Sequence, residues 1–192
     1  GDVYKRQPTL APEDYVESLL PNYTNKAINA DDKSPQAKAF QWLVNDTSLR
    51  NYTEDRILQR FGLATFYYAT MGDYEWDNWL SYTIHECEWW SRGTFAWADD
   101  EVLYNITYDI GYNGSSPCED DDSSNENRTY KHIWLQKNGI KGTLPPEFFF
   151  LTSLKSINLA VNPELKGTIP TSFGRLTNLL SFTFLSSKLE GT

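Results

Sequence analysis

Basic residues are scarce and scattered in this chain: 17 Lys and Arg stand against 26 Asp and Glu, for a formal net charge of −9 and an isoelectric point near 4.7. Phosphate groups are held by clustered Lys and Arg, so this balance excludes a nucleic-acid footprint and an anionic-membrane surface. Nor is there an uninterrupted run of ~18 apolar residues, so nothing in the given sequence spans a bilayer as a helix. Histidine occurs only twice. One of the two opens the stretch HECEW, residues 85–89, which begins like a zinc-binding HExxH motif but places Trp89 where the second histidine is needed. His85 therefore reads as a structural residue. There is also no GxSxG nucleophile elbow and no phosphate-cradling glycine loop, and no spacing pairs two carboxylates for acid and base work. The expectation is a noncatalytic protein without a metal or cofactor.

Cysteine is as scarce, with Cys87 and Cys118 the only two. Three readings fit a lone pair: one disulfide, two free thiols, or a reactive thiol. The glycosylation pattern chooses among them. Asn-x-Ser/Thr occurs at Asn22, Asn45, Asn51, Asn105, Asn113 and Asn127, six acceptors where chance placement gives roughly two. A secreted, oxidising compartment follows, and with it a disulfide.

What the chain does contain is aromatic and apolar residues, 15% and 40% of the total, enough for a folded body with a real core. The opening residues, GDVYKRQ, resemble read-through of a sequencing adapter and are set aside. Residues 1–33 as a whole are polar and read as a poorly ordered lead-in, with one short helix around Tyr15 to Leu20. Ser34 before Pro35 is a helix start, and Ala37, Phe40 and Leu43 or Val44 recur at helical spacing behind it. A second helix begins after Thr53, with Glu54 and Asp55 in its first turn and Ile57, Phe61, Ala64 and Tyr68 on one face; Gly72 is the expected stop. The two make a hairpin. From Tyr74 to Tyr112 large aromatics crowd the chain, among them Trp76, Trp79, Tyr82, Trp89, Trp90, Phe95, Trp97, Tyr104 and Tyr108; they read as the packing of a small cap over 34–128, with a stacking platform for a sugar ring as the alternative. The acidic run EDDDSSNENR, 119–128, reads as a solvated loop, because a calcium loop needs alternating oxygen ligands around a central glycine.

Residues 129–192 repeat themselves. Gly142, Gly167 and Gly191 each begin a Gly-Thr pair, at steps of 167−142 = 25 and 191−167 = 24; Asn138, Asn162 and Ser187 precede them at steps of 24 and 25. Leu151 and Leu176, Leu154 and Leu179, Ile157 and Phe182, Leu159 and Phe184, and Pro145 and Pro170 all recur at 25. One inserted residue falls at Pro163 or Glu164. A period in the twenties that preserves apolar positions marks a stacked repeat. In LKSINLAVN, Leu154, Ile157 and Leu159 alternate as the inner face of a short strand. Gly permits a sharp turn, and Pro145 and Pro170 fix φ where no ladder donor is required.

The stretch LKSINLAVNPELKGTIPTSFGRLTNL resembles the plant-type leucine-rich repeat, LxxLxLxxNxLxGxIPxxLxxLxx. The resemblance implies an α/β architecture: a helical, aromatic-rich N-terminal cap followed by a short solenoid of about two and a half to three repeats with a parallel sheet on its concave face. It puts Asn138 and Asn162 inside, satisfying backbone groups at each turn, with Ser187 leaving the last turn looser. It puts outward columns at His132, Ser156 and Ser181, at Trp134, Asn158 and Thr183, and at Gln136, Ala160 and Leu185. His132, Trp134, Gln136, Ser156, Asn158, Ser181 and Thr183 are the ligand-binding residues it implies. The final LEGT breaks off inside the motif, so fraying is expected around Phe182, Phe184 and Leu189.

The upstream series LPNYT, SPQAKAFQWL, LQRFGLATFYYAT, WDNWLS and HECEWW resembles the leader and cap of leucine-rich-repeat proteins of diatoms and related algae, in which an upstream membrane-spanning segment is often present. Plant repeat caps carry a Trp-flanked cysteine pair, matched in kind by Cys87 beside Trp89 and Trp90 and by Cys118, though at a wider spacing of 118−87 = 31. The function these features imply is extracellular or cell-surface recognition of a protein, peptide or glycan, membrane anchoring coming through a segment upstream of the given sequence. The alternatives are the ectodomain of a receptor-like kinase and a carbohydrate-active or lectin-like domain with a short repeat tail.

Overall fold

The computed structural model describes residues 10–70, 79–89, 117–118 and 128–191, and the backbone alone over 92–99 and 102–109. Ser34 caps helix α3 (Pro35–Val44) through its hydroxyl, which accepts from the Ala37 amide at 3.1 Å, and Pro35 fills the first turn. α4 (Glu54–Thr70) follows with Glu54 and Asp55 at its positive end and packs against α3, as the helical spacing predicts. Gly72, the expected stop, lies outside the described residues.

The lead-in differs from its sequence reading. It holds two helices, α1 (Pro12–Leu19) and α2 (Asn22–Ala30), separated by the extended pair Leu20 and Pro21. Their few apolar residues are concentrated at the contact: Tyr15, Val16 and Leu20 are all buried in the main core. A polar composition hides such helices, since three side chains suffice to dock two short amphipathic segments.

α4 is buried nearly all round over its middle, with Gln59 to Thr65 and Phe66 covered continuously. A helix enclosed in this way needs one thin side, and Gly62 supplies it. A Cβ there would lie 2.7 Å from the Glu147 carbonyl oxygen, in the 3-10 turn Pro146–Phe150. Phe66 meets Phe148 at 4.5 Å between ring centroids beside this approach, and Phe61 stacks on Phe150.

Upstream of Cys118 the chain forms an antiparallel pair, β1 (Arg92–Asp99) and β2 (Val102–Asp109), in the register Arg92 opposite Asp109 and Asp99 opposite Val102. Neither cap packing nor a sugar-stacking platform predicts this hairpin; the alternation Phe95, Trp97 and Tyr104, Ile106, Tyr108 is the strand signal within the crowd of aromatics. Of the aromatics, Trp79, Tyr82 and Trp89 are described. Trp42 stacks on Tyr82 and meets Trp89 edge-on, both at 5.4 Å; Trp42 and Trp89 are buried in the core, while Tyr82 covers Trp42 from an exposed position. Trp76, Trp90, Tyr112 and the 119–127 run lie outside the described residues, as do the side chains of Phe95, Trp97, Tyr104 and Tyr108.

After Arg128 a strand, a second strand and a 3-10 turn follow one another twice, and a third pair of strands succeeds them. Strands β3 (His132–Trp134), β5 (Ser156–Asn158) and β7 (Ser181–Thr183) form one parallel sheet, in the order β3-β5-β7. β4 (Lys141–Gly142), β6 (Glu164–Thr168) and β8 (Lys188–Glu190) form a second, in the order β4-β6-β8. The 3-10 turns Pro146–Phe150 and Thr171–Arg175 follow β4 and β6, each opened by the proline the repeat predicts, Pro145 and Pro170. Gly142 and Gly167 take φ of +87° and +93°, a conformation that needs glycine. The molecule is thus mixed α/β, with four helices among its described residues and two small parallel sheets, neither closed.

Beyond Arg128, three residues other than glycine also take left-handed backbone: Lys137, Val161 and Ser186, at φ of 57°, 59° and 60°. Each stands immediately before Asn138, Asn162 or Ser187, so the turn recurs with the period of the sequence. Val161 is the strained member, since a β-branched side chain crowds its own backbone there.

Asn162 occupies the place its spacing assigns. Fully buried, it donates through Nδ2 to the carbonyls of Leu135 (2.8 Å), Leu159 (2.8 Å) and Ala160 (3.2 Å), and through Oδ1 accepts from the amides of Asn138 (3.1 Å) and Ile140 (3.2 Å). With two N–H hydrogens and two lone pairs this one side chain serves backbone groups of two passes of the chain, and the Ala160 carbonyl, its most distant acceptor, also receives the Lys137 amide at 2.9 Å. Asn138, also buried, donates to Gln136 O. Ser187 is shorter and reaches only Phe184 O and the Leu189 amide.

A single hydrophobic core runs from Tyr15 and Val16 through α3 and α4 to Leu165, Leu176 and Leu189. Phe149, Phe173, Phe182 and Phe184 carry it onward by successive ring contacts of 5.7, 5.2 and 5.1 Å. Toward β7 the covering thins: Phe182 and Phe184 are half-buried, while Leu180 and Leu185 are 86% and 74% exposed.

Candidate functional site

The backbone register of the first sheet sets the columns. His132, Ser156 and Ser181 pair across the three strands, and so do Trp134, Asn158 and Thr183. Both columns are those read from the sequence. Alternate residues of a strand share a face, so the intervening Ile133, Ile157 and Phe182 turn to the core while the columns turn away from it.

These six side chains line one groove of about 480 Å³, bordered by Lys155 and Leu180. His132 is buried at 6% exposure despite its outward position, and its Nδ1 lies 2.7 Å from Ser156 Oγ. Trp134 donates through Nε1 to the same hydroxyl at 3.4 Å, so the indole and the imidazole are fixed about one serine. Asn158 accepts from the Ala160 amide and donates to Gln136 Oε1, both at 3.1 Å. Gln136, read as part of this face, lies past the strand end and does not line the groove; it braces Asn158 instead. Ser181 and Thr183 direct their hydroxyls at no protein partner among the described residues. Among the described residues no carboxylate lines the groove, although the chain as a whole is strongly acidic.

The cap reaches the sheet edge at the start of β3. The Pro117 carbonyl accepts from the amides of Lys131 (2.8 Å) and His132 (3.0 Å), just as Lys131 O accepts from Lys155 and Ser156, and Lys155 O from Leu180 and Ser181. Cys118, next along, is bonded to Cys87, and both are fully buried. The disulfide thus fastens the segment that satisfies the Lys131 and His132 amides at the start of β3, groups an unpaired strand would otherwise present to solvent or to other chains.

On the other side of this bond lies a charged cluster that the sequence reading missed. Arg60 is fully buried; its Nη1 lies 3.0 Å from Glu86 Oε2, and its Nη2 lies 3.1 Å from Asp46 Oδ2 and 3.3 Å from Ser81 O. Trp42, Tyr52 and Trp89 surround the guanidinium with ring centroids 5.0, 5.0 and 4.8 Å away. Glu86 also receives Arg56 in a fork and Gln59 Nε2 at 3.0 Å. Burial alone raises the Glu86 carboxyl, but Arg60, His85 and Arg56 outweigh it and hold it below the ordinary carboxylate value. Tyr130 donates its hydroxyl to Glu86 O, and its amide donates to Gln59 Oε1; burial, then Glu86 and Glu88, push its phenol upward. The cluster joins α4 to the cap and to the lead into β3. Its sequence signal is the apolar stretch FGLATF directly after Arg60, which marks α4 as a helix enclosed on every side, so that charges adjoining it must be paired.

His85 accepts from the Cys87 amide through Nδ1 at 3.1 Å and caps the 3-10 turn Glu86–Glu88, a structural task. Among the described residues no group of three or more His, Cys, Asp or Glu is placed to hold a metal ion, and no helix is long and apolar enough to cross a membrane. Asn22, Asn45 and Asn51 are exposed, open to glycan attachment. The Asn105 side chain, Asn113 and Asn127 lie outside the described residues. Comparison with protein-family models, with curated proteins and with solved structures finds no match.

Proposed function

We propose that this chain is a noncatalytic extracellular recognition module built on leucine-rich repeats, which binds a protein, peptide or glycan on the face formed by β3, β5 and β7. The observation that carries the reading is the groove in which two columns of outward residues, spaced by the repeat period, converge. Asn162 supports the repeat assignment, because its bonds to backbone groups of two passes account for an asparagine at that position. The buried disulfide supports an oxidising compartment, and with three exposed sequons it favours secretion or display at the cell surface, in the latter case with an anchor upstream of this sequence.

Two measurements test this. Production in a secretory host followed by mass spectrometry should find Asn22, Asn45 and Asn51 carrying glycan and no free thiol; both thiols free and no glycan attached sinks the compartment. Selection against peptide, protein and glycan libraries should yield binders that Ser181→Lys blocks. Binders indifferent to that charge in the groove sink the concave-face site.

A further inference from the structure

Resting on the secretory reading above, we infer that Asn22 receives its glycan only before α2 docks, because the folded chain buries the hydroxyl that its acceptor motif requires. An Asn-x-Ser/Thr acceptor is read together with the hydroxyl two residues on, and it is read in a loop. The asparagines of three such motifs, Asn22, Asn45 and Asn51, are described and exposed. Their threonines are not alike. Thr47, which serves Asn45, and Thr53, which serves Asn51, are both exposed, the latter accepting the Arg56 amide at 3.3 Å. Thr24, which serves Asn22, is fully buried and donates through Oγ1 to Glu147 Oε1 at 2.8 Å.

The backbone closes the same site. Asn22 opens α2, and the amides of Thr24 and Asn25 both donate to Pro21 O, at 2.9 and 3.1 Å, so the motif is wound into the first helical turn. Glu147 fixes that turn to the body of the protein. It is fully buried, and its other oxygen accepts from Gln36 Nε2 at 3.0 Å, so one carboxylate holds α2 and α3 to the turn Pro146–Phe150. Withdrawing Thr24 leaves a buried carboxylate oxygen without its donor, a cost that keeps the motif closed. Chain order supplies the opening: Glu147 lies 123 residues beyond Thr24, so a chain that emerges N-terminus first offers Asn22 to the transferase before its lock exists. The transfer is a substitution at the anomeric carbon of a lipid pyrophosphate-linked oligosaccharide. The bond from that carbon to the pyrophosphate oxygen breaks, the pyrophosphate leaving with the electron pair; a bond to Asn22 Nδ2 forms, and that nitrogen gives up one proton to a base of the transferase. The exposed Asn22 side chain then carries the glycan outside the docked helix.

The experiment uses the whole chain, made in two ways and read site by site by mass spectrometry. Secreted from a glycosylating host, it should carry glycan at Asn22, Asn45 and Asn51. Made glycan-free and disulfide-bonded in an oxidising bacterial compartment, it is offered to a purified oligosaccharyltransferase with a lipid-linked donor, once folded and once reduced and alkylated. The reduced chain should accept at Asn22 roughly tenfold faster than the folded one, or more. Glu147→Gln keeps an acceptor oxygen for Thr24 and should leave Asn22 refused on the folded chain; Glu147→Ala removes it and should raise acceptance there several-fold, at Asn22 and not at Asn45 or Asn51. Folded-chain acceptance at Asn22 within about twofold of the reduced chain overturns the inference, as does a Glu147→Ala gain equal at all three sites. Asn22 empty in the secreted protein, with Asn45 and Asn51 occupied, overturns it while leaving the compartment standing. Glycan on none of the three overturns the secretory reading and this inference with it.

Discussion

Arg60→Met removes the one cation shared by Asp46 and Glu86 while filling much of the same volume, so the change isolates charge from cavity. Glu86 keeps Arg56 and Gln59, but Asp46 is left with the Tyr52 hydroxyl at 2.9 Å and the Ser48 amide at 2.9 Å. A buried carboxylate deprived of its cation costs about 3–5 kcal/mol, and the guanidinium's three aromatic neighbours add to that loss. The expected loss of unfolding free energy is therefore about 3–5 kcal/mol at pH 7, large against a typical total of about 5–15. Urea unfolding followed by tryptophan fluorescence reads it directly, since Trp42 and Trp89 sit against the guanidinium. The pH dependence gives a second readout. Because the folded Glu86 value is depressed, its stabilising contribution is present above the ordinary value of 4.5 and is lost as pH falls through the lower folded value. Removing Arg60 takes away the strongest of the downward influences, so in the variant the acid limb begins at higher pH. A stability change under about 1 kcal/mol, with an unmoved acid limb, refutes the view that this cluster ties the cap to α4.

Asn162→Ala should cost about 3 kcal/mol or more by stranding buried backbone donors and acceptors, measured by the same unfolding assay, with Ser187→Ala costing far less because that side chain makes only local bonds. Gly62→Ala should destabilise despite the better helix propensity of alanine, because its Cβ meets a backbone oxygen; a rise in melting temperature contradicts the close approach of α4 to the Pro146–Phe150 turn. Val161→Gly should stabilise by roughly 1 kcal/mol or less, the relief of left-handed strain exceeding the added freedom of the unfolded chain, and a loss above about 1 kcal/mol disproves it. Replacing Cys87 and Cys118 together by Ala, which opens a loop of 31 residues, should lower stability by about 3–4 kcal/mol and expose the amides of Lys131 and His132 to hydrogen exchange ahead of those of Ile157 and Leu159.

The sequence was most informative where one residue type has one job. Pro35 behind Ser34 starts α3; Gly142 and Gly167 adopt the left-handed turns; Asn162 sits inside. The two outward columns were legible because a fixed period and a strand alternation together determine the register. It was least informative where partners are distant along the chain. Glu147 is buried between Thr24 Oγ1 at 2.8 Å and Gln36 Nε2 at 3.0 Å, more than a hundred residues away, and nothing near Glu147 announces that. The docking of α1 and α2 on the core was hidden for the same reason.

By itself, then, the sequence determined the periodic part, where strands recur and which residues face outward, since these follow from local alternation and repeat length; the pairing of Cys87 and Cys118 was legible from the sequons, which imply an oxidising compartment. Tertiary structure alone decided that His132 is shielded and locked to Ser156, that Gln136 stands outside the groove, and that Arg60 gathers Asp46 and Glu86 among three aromatic rings. The physical reason is that periodicity constrains direction along one element. Burial and charge pairing depend on what another element, folded back from elsewhere in the chain, brings against it.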